Sequence, residues 1–437
     1  MAQDSIRDRH ATPCGIGGYY NSIADLLSST DFSSFGSREQ DFTRSGPLSP
    51  ELLVTLLLFL VADAGRRGYQ PLLDAFWDEC RTFDLPLPTE RPVSASAFCQ
   101  ARLKIEPALI RRLLHDRAES FDSLHGMDFR LKGHRVIACD GSKVSVRRSD
   151  ELWDALGGPE GGHCPQMLLS TLYDVLSGVP IHVRVAPTDC SERAELLAML
   201  DHLHPGDILV LDRGYPSFEV LQELLRRGIH FVIRNPARCT FKPVERFLED
   251  GETDGIVELC PPGRPHATEE SVRVRIHVAH RDGLPPLIVL TDLPPEEFTG
   301  TELQEVYRSR WAVEEFYKVG KGDYLGQGQF HAMTLQGLKQ EVYAFALYIA
   351  LTRQLTASAA TAAGTSPRRI SQKGSILAVA AYLTRLLLEQ RPDEYEHILD
   401  RLFDRIARNA AKARPGRSYP RRSYKPTPRW GSAGRRA

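Results

Sequence analysis

GDILVLDRGY, residues 206–215, decides the reading of the fold. Ile208 to Leu211 run without a polar break and stop at Asp212, with turn residues following. A short continuous apolar run bounded in this way is a strand buried on both faces, as in sheets covered by helices. HRVIACDGSKVSV, residues 134–146, repeats the design, with an apolar run ending at Asp140 before an expected Gly-Ser turn. Between them MLLSTLYDVLSGVPIHVRVAP (167–187) gives two apolar runs joined across Ser177-Gly178, a hairpin signal. ERAELLAMLDHL and SFEVLQELLRRG carry helical spacing, and HFVIRNP is a further strand. Three strands, a helix, a strand, a helix and a strand predict an α/β protein with a mixed sheet flanked by helices.

The outer segments have other textures. Residues 1–125 read as a helical N-terminal region, with SPELLVTLLLFLVADAGRR, QPLLDAFWDEC, SASAFCQARLKI and PALIRRLLHDRAESF all at helical spacing. The apolar run Leu52–Ala62 is too short to cross a bilayer and follows a Ser-Pro-Glu helix start, which makes it a core helix. Residues 236–286 are rich in turn residues and contain the alternation VRVRIHV, so a β-rich insertion is expected there. LPPLIVLTDL then returns a buried strand, and LQGLKQEVYAFALYIALTRQL predicts a long buried helix. The expected core is therefore 130–235 with 287–360, and residues 361–437 form a helical C-terminal region ending in a basic tail.

Composition sets the class. A chain of 437 residues, 42% hydrophobic, is ample for several domains and a full core. The eight cysteines are scattered without CxxC spacing, and the start MAQDSIRDRH has no apolar signal segment, so a reducing, cytoplasmic setting is expected with no membrane partner. Net charge is −1, yet residues 406–437 hold ten Lys/Arg and no Asp/Glu, so the preceding 405 residues carry −11. The tail interleaves Arg421, Arg422 and Lys425 with Tyr419, Tyr424 and Trp430, a composition suited to a phosphate backbone and equally to a solvated terminus.

Asp140 and Asp212 each close an apolar strand, where a partly desolvated carboxylate is costly unless a cation meets it. A turn or helix-cap role is the plain alternative for each. YRSRWAVEEFYKVGK (307–321) supplies a third acid: Tyr307, Arg310, Glu314, Lys318 and Lys321 recur at steps of three and four along one helix side. Taken alone, Glu314 and Lys318 are an ordinary i,i+4 surface pair. Three carboxylates holding two Mg²⁺ ions about 3.5–4 Å apart can activate a water or 3′-OH on one side of a phosphodiester and stabilise the leaving oxygen on the other. Tyr307, Arg310 and Lys321 suit phosphate oxygens, and Trp311 suits a stacked base.

Asp140 in ACDGS, Asp212 in LDRGY and the series Tyr307, Arg310, Glu314, Lys321 resemble the DDE transposases of bacterial and archaeal insertion sequences, in the Tyr-Arg-Glu-Lys motif group, insertion-sequence family four. The resemblance runs from about residue 90 into the tail. It implies an RNase H-like core interrupted by a β-rich insertion between the second Asp and the Glu, which lie 102 positions apart. It further implies that Asp140, Asp212 and Glu314 ligate two Mg²⁺, with Mn²⁺ able to substitute, and that Tyr307, Arg310, Trp311 and Lys321 hold the transposon end. The implied activity is cut-and-paste transposition through a hairpin, on terminal inverted repeats and target DNA, by a nucleoid-associated homodimer whose N-terminal region and tail bind DNA. Some relatives carry a second Trp in the insertion, and this chain has none between Asp212 and Trp311. A transposase-derived DNA-binding protein without catalysis, or an RNase H-like nuclease without strand transfer, remain the alternatives.

Overall fold

The computed structural model describes residues 46–63, 68–236, 241–263, 271–281, 283–319 and 330–410, together with Gly36 and Asp41. The first described elements are α1 (Pro50–Ala62), α2 (Tyr69–Thr82), α3 (Ala95–Arg102) and α4 (Pro107–His125). The central part is β1 (Val136–Ser145), α5 (Asp150–Leu156), β2 (Gln166–Asp174), β3 (Val179–Pro187), α6 (Glu192–Leu197), β4 (Ile208–Leu211), α7 (Phe218–Arg226) and β5 (His230–Arg234). Then follow α8 (Lys242–Glu249), β6 (Asp254–Leu259), β7 (Val272–Arg281) and β8 (Leu284–Thr291). The last elements are α9 (Gly300–Ser309), α10 (Trp311–Lys318), α11 (Leu335–Ala362), α12 (Gln372–Ala380), α13 (Leu383–Leu388) and α14 (Pro392–Arg408).

The eight described strands join one mixed sheet in the order β3-β2-β1-β4-β5-β8-β7-β6, so the expected mixed sheet flanked by helices is present. β1, β4 and β5 are mutually parallel, and the remaining neighbours are antiparallel. The hairpin at Ser177-Gly178 forms as expected, with Gly178 at φ 77°, a left-handed conformation that glycine adopts without a steric penalty. Residues 236–286 contribute α8, β6 and β7, and both strands extend this same sheet through β8.

Strand alternation separates the cores. Ile137, Cys139, Leu209 and Leu211 pack with α6 and α7, whereas Ala138 faces the larger core built by α1, α4, α10 and α11. Val136, Ile208 and Val210 meet Leu303 and Val306 of α9 in a third cluster. α1 is buried along nearly its whole length, and its start follows the sequence signal: Ser49 Oγ accepts from Leu52 N at 3.3 Å with Pro50 in the first turn. α11 is buried on almost all sides. It is tied to the N-terminal helices by Arg102, which donates to Glu341 at 2.9 Å, Gln340 at 2.9 Å and the Gly337 carbonyl at 2.8 Å. No described helix is long and apolar enough to cross a membrane, and the six described cysteines are free thiols.

One ion pair fixes the centre of the sheet. β1 and β4 align Val136 with Ile208 and Ala138 with Val210. Immediately before that ladder Arg135 and Asp207 form a two-pronged pair, Nε to Oδ1 at 2.7 Å and Nη2 to Oδ2, with both side chains under 10% exposed. The Arg135 carbonyl also accepts from Ile208 N at 2.9 Å, and Asp207 Oδ2 from His204 N at 2.7 Å. Removing one partner leaves the other charge buried alone. Asp207→Ala is therefore expected to lower unfolding free energy by about 3–5 kcal/mol in urea titrations. Asp116→Ala, which breaks an exposed pair with Arg112 (46% and 65% exposed), should cost under about 1 kcal/mol.

Candidate active site

The parallel register carries the two aspartates to one place. Ala138 pairs with Val210, and two residues further on Asp140 and Asp212 lie level with one another where β4 ends. The expected turn after Asp140 is absent: β1 continues to Ser145, and Gly141 and Ser142 pair with Ser170 and Leu169 of β2. The sequence signal misleads because β1 loses its parallel neighbour at this level while β2 still satisfies its backbone on the other side. Asp212 does begin a turn, its Oδ1 accepting from Gly214 N at 2.7 Å. The turn role and a place beside Asp140 are thus held by the same residue.

α9 and α10 bring the third acid. They meet at Arg310, whose N–H bonds to the Tyr307 carbonyl at 3.2 Å in a tightened turn. α10 is held on the sheet by Tyr317, whose hydroxyl meets the Asp140 carbonyl at 2.7 Å and the Leu169 carbonyl at 3.1 Å. This anchoring turns Arg310 and Glu314 towards β1. Arg310 Nη1 lies 3.6 Å from Asp140 Oδ2, and Nη2 donates to Glu314 Oε1. The i,i+4 partner of Glu314 is consequently Arg310, not Lys318. Lys318 bonds Glu315 at 2.5 Å and stands 4.2 Å from the centre of the Trp311 ring. Tyr307 is half-buried against the third cluster, and Trp311 is 38% exposed, its Nε1 donating to Glu315. Lys321, Arg421, Arg422 and Lys425 lie outside the described residues.

Glu192 at the start of α6 is a fourth acid at this place, and no motif in the sequence marked it. A Cβ added at Gly141 would come within 2.8 Å of the Glu192 carboxyl carbon, so the glycine is what lets that side chain lie against β1. Tyr317 was also missed, although it stands three residues after Glu314 in the helix that drew attention.

Burial and crowding of like charge govern the electrostatics. Asp140 is pushed up to about 7, chiefly by burial, with Asp212, Glu192 and Glu314 adding to the rise and Arg310 opposing it. Glu192 is raised by burial and by Asp212, against a hydrogen bond from Tyr215 and the charge of Lys143. Carboxylates are hard oxygen donors, the chemistry that suits a divalent cation. Arg310 is the positive charge that the fold itself supplies between Asp140 and Glu314.

A family model described as "Transposase DDE domain" matches residues 131–351, more than half of the 437 residues. This chain belongs to that family. The matched stretch begins before β1 and ends within α11, so it contains Asp140, Asp212 and Glu314. The transposase for insertion sequence element IS231C of Bacillus thuringiensis subsp. berliner is 26% identical over 130 residues, 26% of this chain and 27% of that protein. The transposase for insertion sequence element IS231B of the same organism is 25% identical over 131 residues, with the same shares. The chain thus spans about a quarter of the length of these curated relatives. Among solved structures, the cryo-EM structure of the piggyBac transposase synaptic complex with hairpin DNA matches at a TM-score of 0.44 and 10% identity, covering 92% of this chain and 87% of that one.

The raised Asp140 contributes stability to the metal-free protein that is lost as pH rises. Between about 4 and about 7 the folded state holds a proton at this carboxyl that the unfolded state releases, so the contribution of this group declines as pH rises through that window. Asp140→Asn removes the loss. In metal-free buffer the variant is expected to exceed the parent in stability by up to about 4 kcal/mol at pH 8, and to match it below pH 4, in chemical denaturation series.

Proposed function

We propose that this protein is a cut-and-paste transposase of an insertion sequence, in the Tyr-Arg-Glu-Lys group of family four, with an RNase H-like core. The observation that supports it most is the parallel β1–β4 register, which brings Asp140 level with Asp212 while Arg310 links Asp140 to Glu314. Asp140, Asp212 and Glu314 would hold Mg²⁺, for which Mn²⁺ would substitute. When bound, such a pair of ions supplies charge neutralisation for the attacking and leaving oxygens of a displacement at phosphorus.

The chain's own residues then divide the remaining tasks. The tail and N-terminal helices bind transposon ends and target DNA, a local use of positive charge on an acidic body. Tyr307 and Arg310 grip phosphate near the scissile bond, joined by Lys321. Exposed Trp311 offers a face for a displaced base, steadied by the ammonium of Lys318. Four displacements share the centre: water nicks one strand, the freed 3′-OH attacks the opposite strand to close a hairpin, water reopens it, and the 3′-OH joins target DNA. A homodimer holds the two ends together, and the work is done at the nucleoid.

End cleavage by the full chain on DNA from the gene's own flanks, with Mg²⁺, tests the proposal. Asp140→Asn, Asp212→Asn and Glu314→Gln should each lower cleavage about 10³-fold or more while DNA binding in a gel-shift assay persists, because several kcal/mol of charge stabilisation are lost. Lys318→Ala removes an exposed pair with Glu315 and an exposed contact with the Trp311 ring, and should cost at most about fivefold. Cleavage that survives any of the three acid substitutions overturns the assignment. Cleaved but never joined products would instead identify a nuclease of the same fold.

A further inference from the structure

On the far edge of the sheet three histidines from separate elements converge. His115 comes from α4, His182 from β3, and His202 from the turn between α6 and β4. One ring nitrogen of each lies within 4.8 Å of the others. His115 Nε2 and His182 Nδ1 are 2.8 Å apart, the His182 and His202 rings stack at 3.8 Å, and those of His115 and His202 are 4.5 Å apart. His182 is 2% exposed and the other two are half-buried. A cavity of about 380 Å³, lined by His115, His202, His204, Asp201, Glu119 and Asp122, opens beside them.

We infer that His115, His182 and His202 form a binding site for a borderline transition-metal dication such as Zn²⁺, chemically separate from the carboxylate centre. The donor set decides the class, because neutral imidazole favours Zn²⁺, Co²⁺, Ni²⁺ or Cu²⁺, whereas Mg²⁺ takes oxygen. Two nitrogens on one zinc at about 2.0–2.1 Å from the metal stand roughly 3.3 Å apart, so the His115–His182 pair opens by about half an ångström. His202, half-exposed and lining the cavity, would turn out of its stack on His182 to meet the ion.

Protons do not compete for the site. Burial holds His182 down to about 2 and His115 to about 4, and also lowers His202, with mutual repulsion and Arg111 adding to the effect. Two of the cations that act on the rings are matched by acids: Arg184 bonds Glu195 at 2.8 Å, and Arg112 bonds Asp116 at 3.0 Å. Three protein ligands leave a fourth position for water from the cavity. Bound there, the ion cross-links the N-terminal helix α4 to the sheet edge and to the turn that leads into β4.

Co²⁺ titration of the chelator-stripped full chain, with saturating Mg²⁺ present, tests this. One equivalent should bind with the visible d–d absorption of a four- or five-coordinate nitrogen site, equally in the parent and in Asp140→Asn. His202→Ala and His115→Ala should weaken binding by more than about tenfold and remove the absorption. Zn²⁺ should raise the melting temperature of the parent and not of His202→Ala, while matching circular dichroism shows that the variant is folded. Absence of saturable Co²⁺ binding, or equal binding by the parent and His202→Ala, overturns the site; in that outcome the three rings are a neutral packed cluster. Loss of binding in Asp140→Asn overturns it as well, by tracing the ion to the acids.

Discussion

The register between β1 and β4 is the constraint on which the rest depends. Side chains in a strand alternate, so a slip of one residue would turn every partner to the opposite face. Here the slip is opposed at one end by Arg135 and Asp207, a buried pair satisfied on both oxygens. At the other end the same register brings Asp140 level with Asp212. An ion pair roughly five residues away along each strand thus determines which carboxylates stand near one another.

The helices are placed by a different logic. α10 lies over β1 because Val313 and Phe316 bury in the larger core and Tyr317 bonds two strand carbonyls. With that face committed, Arg310 reaches both Asp140 and Glu314. Polar anchoring recurs at the N-terminal side, where Glu341 receives Arg102 and Tyr69 on one oxygen and the His331 and Ala332 amides on the other. A buried carboxylate so fully bonded fixes where the chain re-enters the core at the start of α11.

The mixed sheet, its order of elements, the core helix α1 and the buried α11 were legible because each rests on apolar periodicity within a short window. Motif spacing singled out Asp140, Asp212 and Glu314, and the structure adds the Arg310 side chain that pairs with the first and the last of them. Other features depend on neighbours that a window does not contain. Gly141-Ser142 looks like a turn until β2 is known to pair with it. Helical spacing allows Glu314 to bond four residues forwards or backwards, and burial beside Asp140 chooses backwards. Glu192 has no motif at all; it is brought in by α6 and admitted by the missing side chain at Gly141. The three histidines are even less visible, since 67 and 20 positions separate them along the chain.

Arg310 gives the carboxylate cluster a resident counter-ion. For the proposed dication, occupying this cluster would therefore be an exchange rather than a capture: displacing the guanidinium would change the local charge by one unit instead of two and would free a group with five N–H donors.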